Sequence, residues 1–540
     1  MESMGMEGEF FKRASKEEVW KRYCGFLDLD IKGFMQVQTQ MLLEQVERVA
    51  DTPLGRVIME GRKPTSLSEF RRVVPITSYE DYRPYLADQT AESIAEEPYF
   101  WCHSAGRGGH FKWVPYSRAA YDKVARYGIA AAILSSADRK GEVRLNPGDK
   151  VLVNLAPRPY ASGSMFSHLS DYFPYVSVPP FSAAEEPDFK KRTEAAFRSA
   201  LEQGVDYIFC LSPVLVKIGE SFSEKGKKTR LSTDMLSPRA LRRYLSAWLR
   251  SKLGRRAMVP RDLWQPKGLI TFGVDTPVYE REIARQWGCT PYQFYGTTET
   301  MVGALQSWNK KALTFVPDTA LWEFIPEEEW QKEAQDLAYT PRTVLMDGLK
   351  AGKRYELVLT HFDGMPLMRY RIGDVIKVLA LEDPETGVKL PQVEFQSRAN
   401  EVIDLAGLTQ IDARTLLQAI VDSGVRFDDW TAKKEYEGEA GYLRLYIELK
   451  EPADSRVLER KLEARLREMD VDYRDLEGWL DQRRAVKVRV LEAGTFRRFY
   501  ETRLREGAAL ARLKPARINP FQEDVDMLLQ PATETVKVTR

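Results

Sequence analysis

Between Gly268 and Gly303 the sequence reads as strand, helix, strand with very short connections. Gly268-Leu269-Ile270-Thr271-Phe272-Gly273 is a β-branched and aromatic run of the kind found in buried strands. Thr276-Pro277 supplies a helix N-cap followed by a residue whose φ is already helical. Ile283, Ala284 and Trp287 then fall on one helical face, and Gly288 stands where a left-handed C-cap belongs. A second strand delivers Tyr292-Gln293-Phe294-Tyr295-Gly296-Thr297-Thr298-Glu299 to a turn. Strand, helix, strand predicts a parallel βαβ unit, and such units hold their ligands beyond the carboxyl ends of the strands. The residue types suit a nucleotide with a metal: Tyr295 can stack on a base, and Gly296 lets backbone approach a ligand. Thr297 and Thr298 can bond phosphate oxygens, and Glu299 can hold Mg²⁺. A strand end rich in Thr and Glu is also an ordinary turn, and from these residues alone both readings stand.

Upstream, Cys102-His103-Ser104-Ala105-Gly106-Arg107-Gly108-Gly109-His110-Phe111-Lys112 sets three glycines among polar residues. The backbone N–H groups of such a loop can surround an anion. Arg107 would grip phosphate through two parallel hydrogen bonds, while Lys112 offers a point charge. The Gly-x-x-x-x-Gly-Lys-Ser/Thr spacing of a Walker loop is absent. The other reading is a surface hairpin with solvated charges.

At 540 residues the chain exceeds what one core usually serves, which predicts at least two domains. A formal charge of +1 gives no global case for nucleic acid or an anionic membrane. Cys24, Cys102, Cys210 and Cys289 are far apart with no CxxC pair, so neither a disulfide framework nor a zinc site is expected. Four histidines, His103, His110, His168 and His361, exclude a histidine-rich metal centre. Met1 to Phe11 lacks a signal-peptide core, and no stretch has the length of a membrane span. The expectation is a cytoplasmic protein of a reducing compartment.

Along the chain, residues 15–60 read as helices, and Lys150–Leu155 and Tyr207–Leu211 as strands. Ser162-Gly163-Ser164-Met165-Phe166 reads either as a ligand-facing loop or as the small residues that start a helix. Met165, Phe166, Tyr172, Phe173 and Tyr175 fit an aromatic-friendly pocket or plain core. Leu321–Pro326, Gly352–Thr360 and Met368–Val378 read as strands, the last two as a hairpin. Asp374, after Gly373, can accept from two ribose hydroxyls or bond its own turn. Past Phe395 the character changes: helical and strand patterns alternate in a compact unit, which predicts a small α+β domain.

The order of these pieces carries a resemblance. A Gly-rich loop ending in lysine, Tyr-Gly-Thr-Thr-Glu at 295–299, Glu-Leu-Val-Leu-Thr at 356–360, Tyr-Arg-Ile-Gly-Asp at 370–374, a hinge arginine at 398 and a late lysine at 514 resemble the adenylate-forming superfamily. Within it, Pro75–Asp81, Phe315–Pro317, Glu323–Pro326 and Lys514-Pro515-Ala516-Arg517 are most similar to the plant-type acyl-acid amido synthetases. The closing motif has one residue fewer between lysine and proline than the family's. Gly106 and Arg107 stand where the family usually carries hydroxyls.

The resemblance implies an α/β fold: a large N-terminal adenylation domain of mixed sheets and helices over 1–395, which binds ATP and the acyl acid. A small mobile C-terminal α+β lid would cover 396–540. It implies that Ser104, Gly106, Arg107, Gly108 and Gly109 embrace the phosphates of ATP, with Tyr295 by the adenine and Gly296 and Thr297 alongside. Thr298 and Glu299 would handle phosphate and Mg²⁺, Asp374 the ribose, and Arg398 the hinge and nucleotide. Lys514, Glu299 and Lys112 would be the catalytic residues. The implied reaction activates a small-molecule carboxylic acid as its acyl-adenylate and passes it to an amine such as an amino acid. Two alternatives are coenzyme A as acceptor and a nucleotide-binding protein without turnover. Neither nucleic acid nor membrane is an expected partner.

Overall fold

The computed structural model describes residues 2–103, 111–186, 189–225, 237–272, 276–336, 338–398, 402–405, 409–437, 440–469, 473–474, 485–506 and 514–530. They form two compact units: Met1–Pro326 with Thr343–Ser397, and Arg398–Arg540 with Glu327–Arg342. The segment 327–342, inside the first domain by sequence, thus groups with the second unit.

In the first unit, β1 (Phe100–His103) and β2 (Trp113–Tyr116) make a separate antiparallel hairpin. The remaining strands are β3 (Lys150–Asn154), β4 (Val176–Val178), β5 (Tyr207–Leu211), β6 (Gly268–Phe272), β7 (Tyr292–Tyr295), β8 (Ala304–Gln306), β9 (Leu313–Phe315), β10 (Ala320–Pro326), β11 (Arg354–His361), β12 (Tyr370–Ala380) and β13 (Gln392–Arg398). Among the described residues these eleven join in one mixed sheet, in the order β10-β11-β12-β13-β9-β8-β7-β6-β5-β3-β4. Strands β4, β3, β5, β6 and β7 run parallel, whereas β7 pairs antiparallel with β8. The sheet therefore changes character at β7, which makes its carboxyl end a switch point.

The helix Thr276–Trp287 joins β6 to β7 as the apolar spacing predicts, and Gly288 closes it at φ +69°. Gly268 lies so close to the helix Arg118–Ser136 that a Cβ there would stand 2.2 Å from Ser135 Oγ. At the β10 edge of the sheet, the helix Ile31–Val49 buries Phe34, Leu42, Val46 and Val49. It also buries two amides. Gln38 Nε2 donates to the Ala320 carbonyl at 2.7 Å while its Oε1 accepts from Trp322 N–H at 2.9 Å, which occupies the edge of β10. Gln45 does the same for the loop at Gly364 and Met365, at 2.8 and 2.7 Å. Residues 161–169 are helical, so Ser162–Phe166 starts a helix and is not a loop.

The second unit carries β14 (Val402–Leu405) paired with β15 (Thr409–Asp412). It also holds a sheet of β16 (Phe427–Glu437), β17 (Ala440–Leu449) and β18 (Val486–Leu491), antiparallel then parallel. Helices Ala413–Asp422 and Ser455–Met469 cover it, and Leu458, Leu462 and Leu466 form the stripe that enters its core. Among the described residues no helix is long and apolar enough to cross a membrane.

Candidate active site

Tyr295 is the last residue of β7 and is buried. Its ring packs at 6.0 Å from Phe395, nearly parallel, and its hydroxyl donates to Asp374 Oδ2 at 2.8 Å. Asp374 reaches this hydroxyl because β12 is irregular. Glu356 pairs with Val375 and Val358 with Arg371, so three residues of β12 face one of β11. Gly373, inside that bulge, sits at φ +84°, a conformation glycine adopts without a Cβ clash. A bulge of this kind re-aims the next side chain. Asp374 is thus neither a turn residue nor a ladder residue.

After Tyr295 the chain folds back tightly. Gly303 N–H donates to the Tyr295 carbonyl at 2.8 Å and Met301 N–H to the Thr297 carbonyl at 2.7 Å. A Cβ on Gly296 would stand 2.0 Å from the Met301 carbonyl oxygen, so only glycine fits. Gly296 is exposed, Thr297 and Thr298 are half-buried, and Glu299 is buried. Thr297 Oγ1 accepts from the Glu299 N–H at 3.2 Å. Tyr116 holds the Thr298 carbonyl at 3.0 Å. His361 Nε2 donates to the Glu299 carbonyl at 2.8 Å, and its Nδ1 accepts from Leu367 N–H at 3.3 Å. Full burial pushes His361 down to about 3, so it is neutral and acts as a strut for this turn.

Burial first, and then the charge of the nearby Glu299 carboxylate, raise Tyr370 well above the usual phenol range, so its hydroxyl stays protonated. The same hydroxyl accepts from Lys112 Nζ at 3.2 Å. Lys112 also lies over the rings of Tyr79 and Tyr370, at 5.7 and 5.9 Å. Tyr79 anchors the hairpin base by accepting the Trp113 N–H at 2.5 Å. A cation bonded to a phenol therefore stands near a buried carboxylate past the carboxyl end of β7.

Of the residues singled out by sequence, the structure brings together Lys112, Tyr295, Gly296, Thr297, Thr298, Glu299 and Asp374. Ser104, Gly106, Arg107, Gly108 and Gly109 lie outside the described residues, between the two strands of the β1–β2 hairpin. Arg398 ends β13. Lys514 belongs to the second unit, where its Nζ is 3.2 Å from Asp429 Oδ2; Arg517 binds the other oxygen of the same carboxylate. Sequence reasoning missed Tyr370 and His361 as site residues. The signal for Tyr370 was its place beside Arg371 and Asp374; for His361 there was none. His103 is stacked on Phe111 at 4.0 Å, and His168 on Phe100 at 4.6 Å with Nδ1 2.8 Å from the Ser164 carbonyl.

The donor set fits a polyphosphate: hydroxyls, exposed backbone and a lysine. Among the described residues no three His, Cys, Asp or Glu side chains gather as a metal site. One carboxylate, Glu299, fits Mg²⁺ of the kind that keeps its waters and takes its other ligands from phosphate.

Behind the site, Phe166, Phe173, Tyr175 and Phe209 line an apolar cavity with Leu169 and Ile129. Phe209 on β5 is 4.4 Å from Phe166 and 6.5 Å from Phe294 on β7, so aromatic rings run from the cavity to the residue beside Tyr295.

A mixed sheet with its switch point at β7 and a separate C-terminal α+β unit is the fold of the adenylate-forming ligases. The chain superposes on a GH3.15 acyl acid amido synthetase bound to 2,4-DB with a TM-score of 0.52, at 17% identity and covering 96% of each chain. It superposes on a 2-hydroxyisobutyryl-CoA ligase bound to 2-HIB-AMP and CoA with a TM-score of 0.53, at 16% identity and covering 85% and 86%. Its sequence matches the GH3 family N-terminal domain over residues 25–255, the central domain over 313–398 and the C-terminal domain over 412–523. The chain belongs to the GH3 family. It is 24% identical to the indole-3-acetic acid-amido synthetase GH3.10 of Arabidopsis thaliana, across 88% of this chain and 90% of the relative. It is accordingly an ATP-dependent enzyme of the adenylate-forming class.

Proposed function

We propose that this enzyme joins an aryl-bearing carboxylic acid to the amino group of an amino acid through an acyl-adenylate. A free carboxylate is a poor electrophile because its leaving group would be oxide. Attack by its oxygen on the α-phosphorus of ATP forms the mixed anhydride and releases pyrophosphate. The amine nitrogen then attacks the acyl carbon, the bond to AMP breaks, and the nitrogen gives up a proton.

The observation that carries this reading is the Lys112–Tyr370 hydrogen bond with the Glu299 charge close by, and the Tyr295–Asp374 hydrogen bond at the end of β7. Lys112 supplies positive charge where two anions must meet, the electrostatic requirement of the first step. Tyr370 fixes that cation, and the Glu299 carboxylate near it would hold Mg²⁺ to offset phosphate charge. Asp374, aimed by its bulge, binds the ribose hydroxyls with Tyr295 set against the base. The Ser104–Gly109 loop surrounds the phosphates. Lys514 acts on the first step and leaves for the second, as the second unit moves about Arg398. An aryl acid is favoured because relatives are named for indole-3-acetic acid and for 4-substituted benzoates. The cavity at Phe166 and Phe209, of about 30 Å³, has room for one water and not for a ring. Four free cysteines fit a reducing, cytoplasmic setting.

Mass spectrometry of products formed from ATP and a panel of aryl and fatty acids, with amino acids or coenzyme A as acceptor, tests the reading. It expects an amide from an aryl acid. A thioester as the sole product, or turnover confined to fatty acids, would overturn it.

A further inference from the structure

The helix Pro238–Leu253 presents a face that the described residues do not cover. Its buried side is small: Ala240, Ala247 and Ser251 pack inward, and Arg243 donates to the Ala200 carbonyl at 3.3 Å at the end of helix Phe189–Gln203. The outward side carries Leu241, Leu245, Trp248, Leu249 and Leu253, between 36% and 85% exposed. These are five of the eighteen large apolar side chains exposed among the described residues, so one short helix concentrates more than a quarter of them. At helical spacing Leu241, Leu245, Trp248 and Leu249 lie on one stripe, with Lys252 among them.

The charge on this helix is as one-sided as its apolarity. From 237 to 256 the sequence has seven arginines and lysines and no aspartate or glutamate, although the whole chain carries only +1. Arg256 is paired with Asp262, and Arg250 donates to the Asp262 carbonyl at 3.2 Å. Arg239, Arg242, Lys252 and Arg255 are exposed and form no salt bridge among the described residues. Lys252 Nζ lies 5.7 Å from the Trp248 ring, so one cation shares the apolar stripe.

We propose that this helix docks the enzyme onto an anionic lipid surface. An exposed helix with leucine and tryptophan outward, cations beside them and no acid is the pattern of an interfacial helix, which lies in the headgroup plane. Anionic headgroups attract just such a local cluster, and whole-chain neutrality does not matter within a Debye length. A second copy fits the face poorly, because pairing two such helices sets four unneutralised cations of one against those of the other. The proposal does not depend on the acid or the acceptor the enzyme uses.

Co-sedimentation of the full chain with vesicles of phosphatidylcholine alone, or mixed with phosphatidylglycerol, tests it. Several-fold more protein sediments with the anionic vesicles, and added salt reduces that fraction. The Leu245→Glu/Trp248→Glu variant keeps its thermal midpoint and loses the binding, while Arg242→Ser/Lys252→Ser loses the preference for anionic lipid. No sedimentation with anionic vesicles, or equal sedimentation of wild type and Leu245→Glu/Trp248→Glu, would overturn the proposal. A concentration-dependent dimer that this variant abolishes, with no vesicle binding, would assign the face to a second copy instead. Binding only to an acidic peptide would likewise refute the lipid assignment.

Discussion

Tyr370 illustrates how much one hydroxyl can organise. It receives a hydrogen bond from Lys112 and feels the charge of Glu299, residues far apart in sequence. Tyr370→Phe keeps the ring, and with it the edge contact to Tyr82 at 6.2 Å. A hydrogen bond to a charged group is worth about 1.5–3 kcal/mol, so acid-dependent pyrophosphate release should fall by roughly ten-fold or more. Thermal unfolding should move little. Wild-type release would remove Tyr370 from the mechanism. His361 makes a different prediction. Its pKa in the fold, about 3, lies below the usual 6.5. Between those values the unfolded chain takes up a proton that the native state refuses. Stability from this residue is therefore complete above about pH 6.5 and is lost as the pH falls toward 3, by about 1.4 kcal/mol per pH unit. Denaturant midpoints at a series of acid pH values should fall less steeply in His361→Gln than in wild type.

At the scale of elements, the bulge in β12 is what turns a strand into a ligand-binding edge. Gly373→Ala places a Cβ at φ +84°, which costs about 1–2 kcal/mol of stability. If the bulge aims Asp374 at the ribose, the KM for ATP rises several-fold while the KM for the acid stays near wild type, read by steady-state kinetics with each substrate in turn. A second element-scale device lies under the same hairpin. Glu323, fully buried, accepts from Arg369 Nε at 3.0 Å and Arg71 Nε at 3.1 Å, and Arg369 also caps the Val74 carbonyl at 2.6 Å. Glu323→Leu leaves two guanidinium groups without their carboxylate, a loss of about 3–5 kcal/mol that a urea denaturation curve would register. What sequence could reveal at this scale followed from local chemistry. Thr276, Pro277 and Gly288 bracket a helix, and alternation in 354–360 marks a strand, because each signal spans a few neighbours. The bulge was not legible. Its cause is the pairing of β12 with β11, and the sequence Tyr-Arg-Ile-Gly-Asp is equally compatible with a turn.

For the whole molecule the division is similar. That Tyr295, Gly296, Thr297, Thr298 and Glu299 form one turn was readable, since five consecutive residues must stay together. The seam at β7, where a parallel sheet becomes antiparallel, depends on pairing with β8 and was not readable from either strand. Nor was the convergence of Lys112 on Tyr370, which two distant segments of chain create. The order of motifs along the sequence carried information that no single motif did, because order is what a family shares when local patterns are commonplace. On that account one covalent event defines the enzyme: an oxygen of the acid becomes bonded to the α-phosphorus. Supplying a substrate acid labelled with heavy oxygen in its carboxylate, with ATP and an amino acid, and weighing the nucleotide product tests this directly. One labelled oxygen per turnover in AMP is the predicted result; label in inorganic phosphate with release of ADP would contradict it.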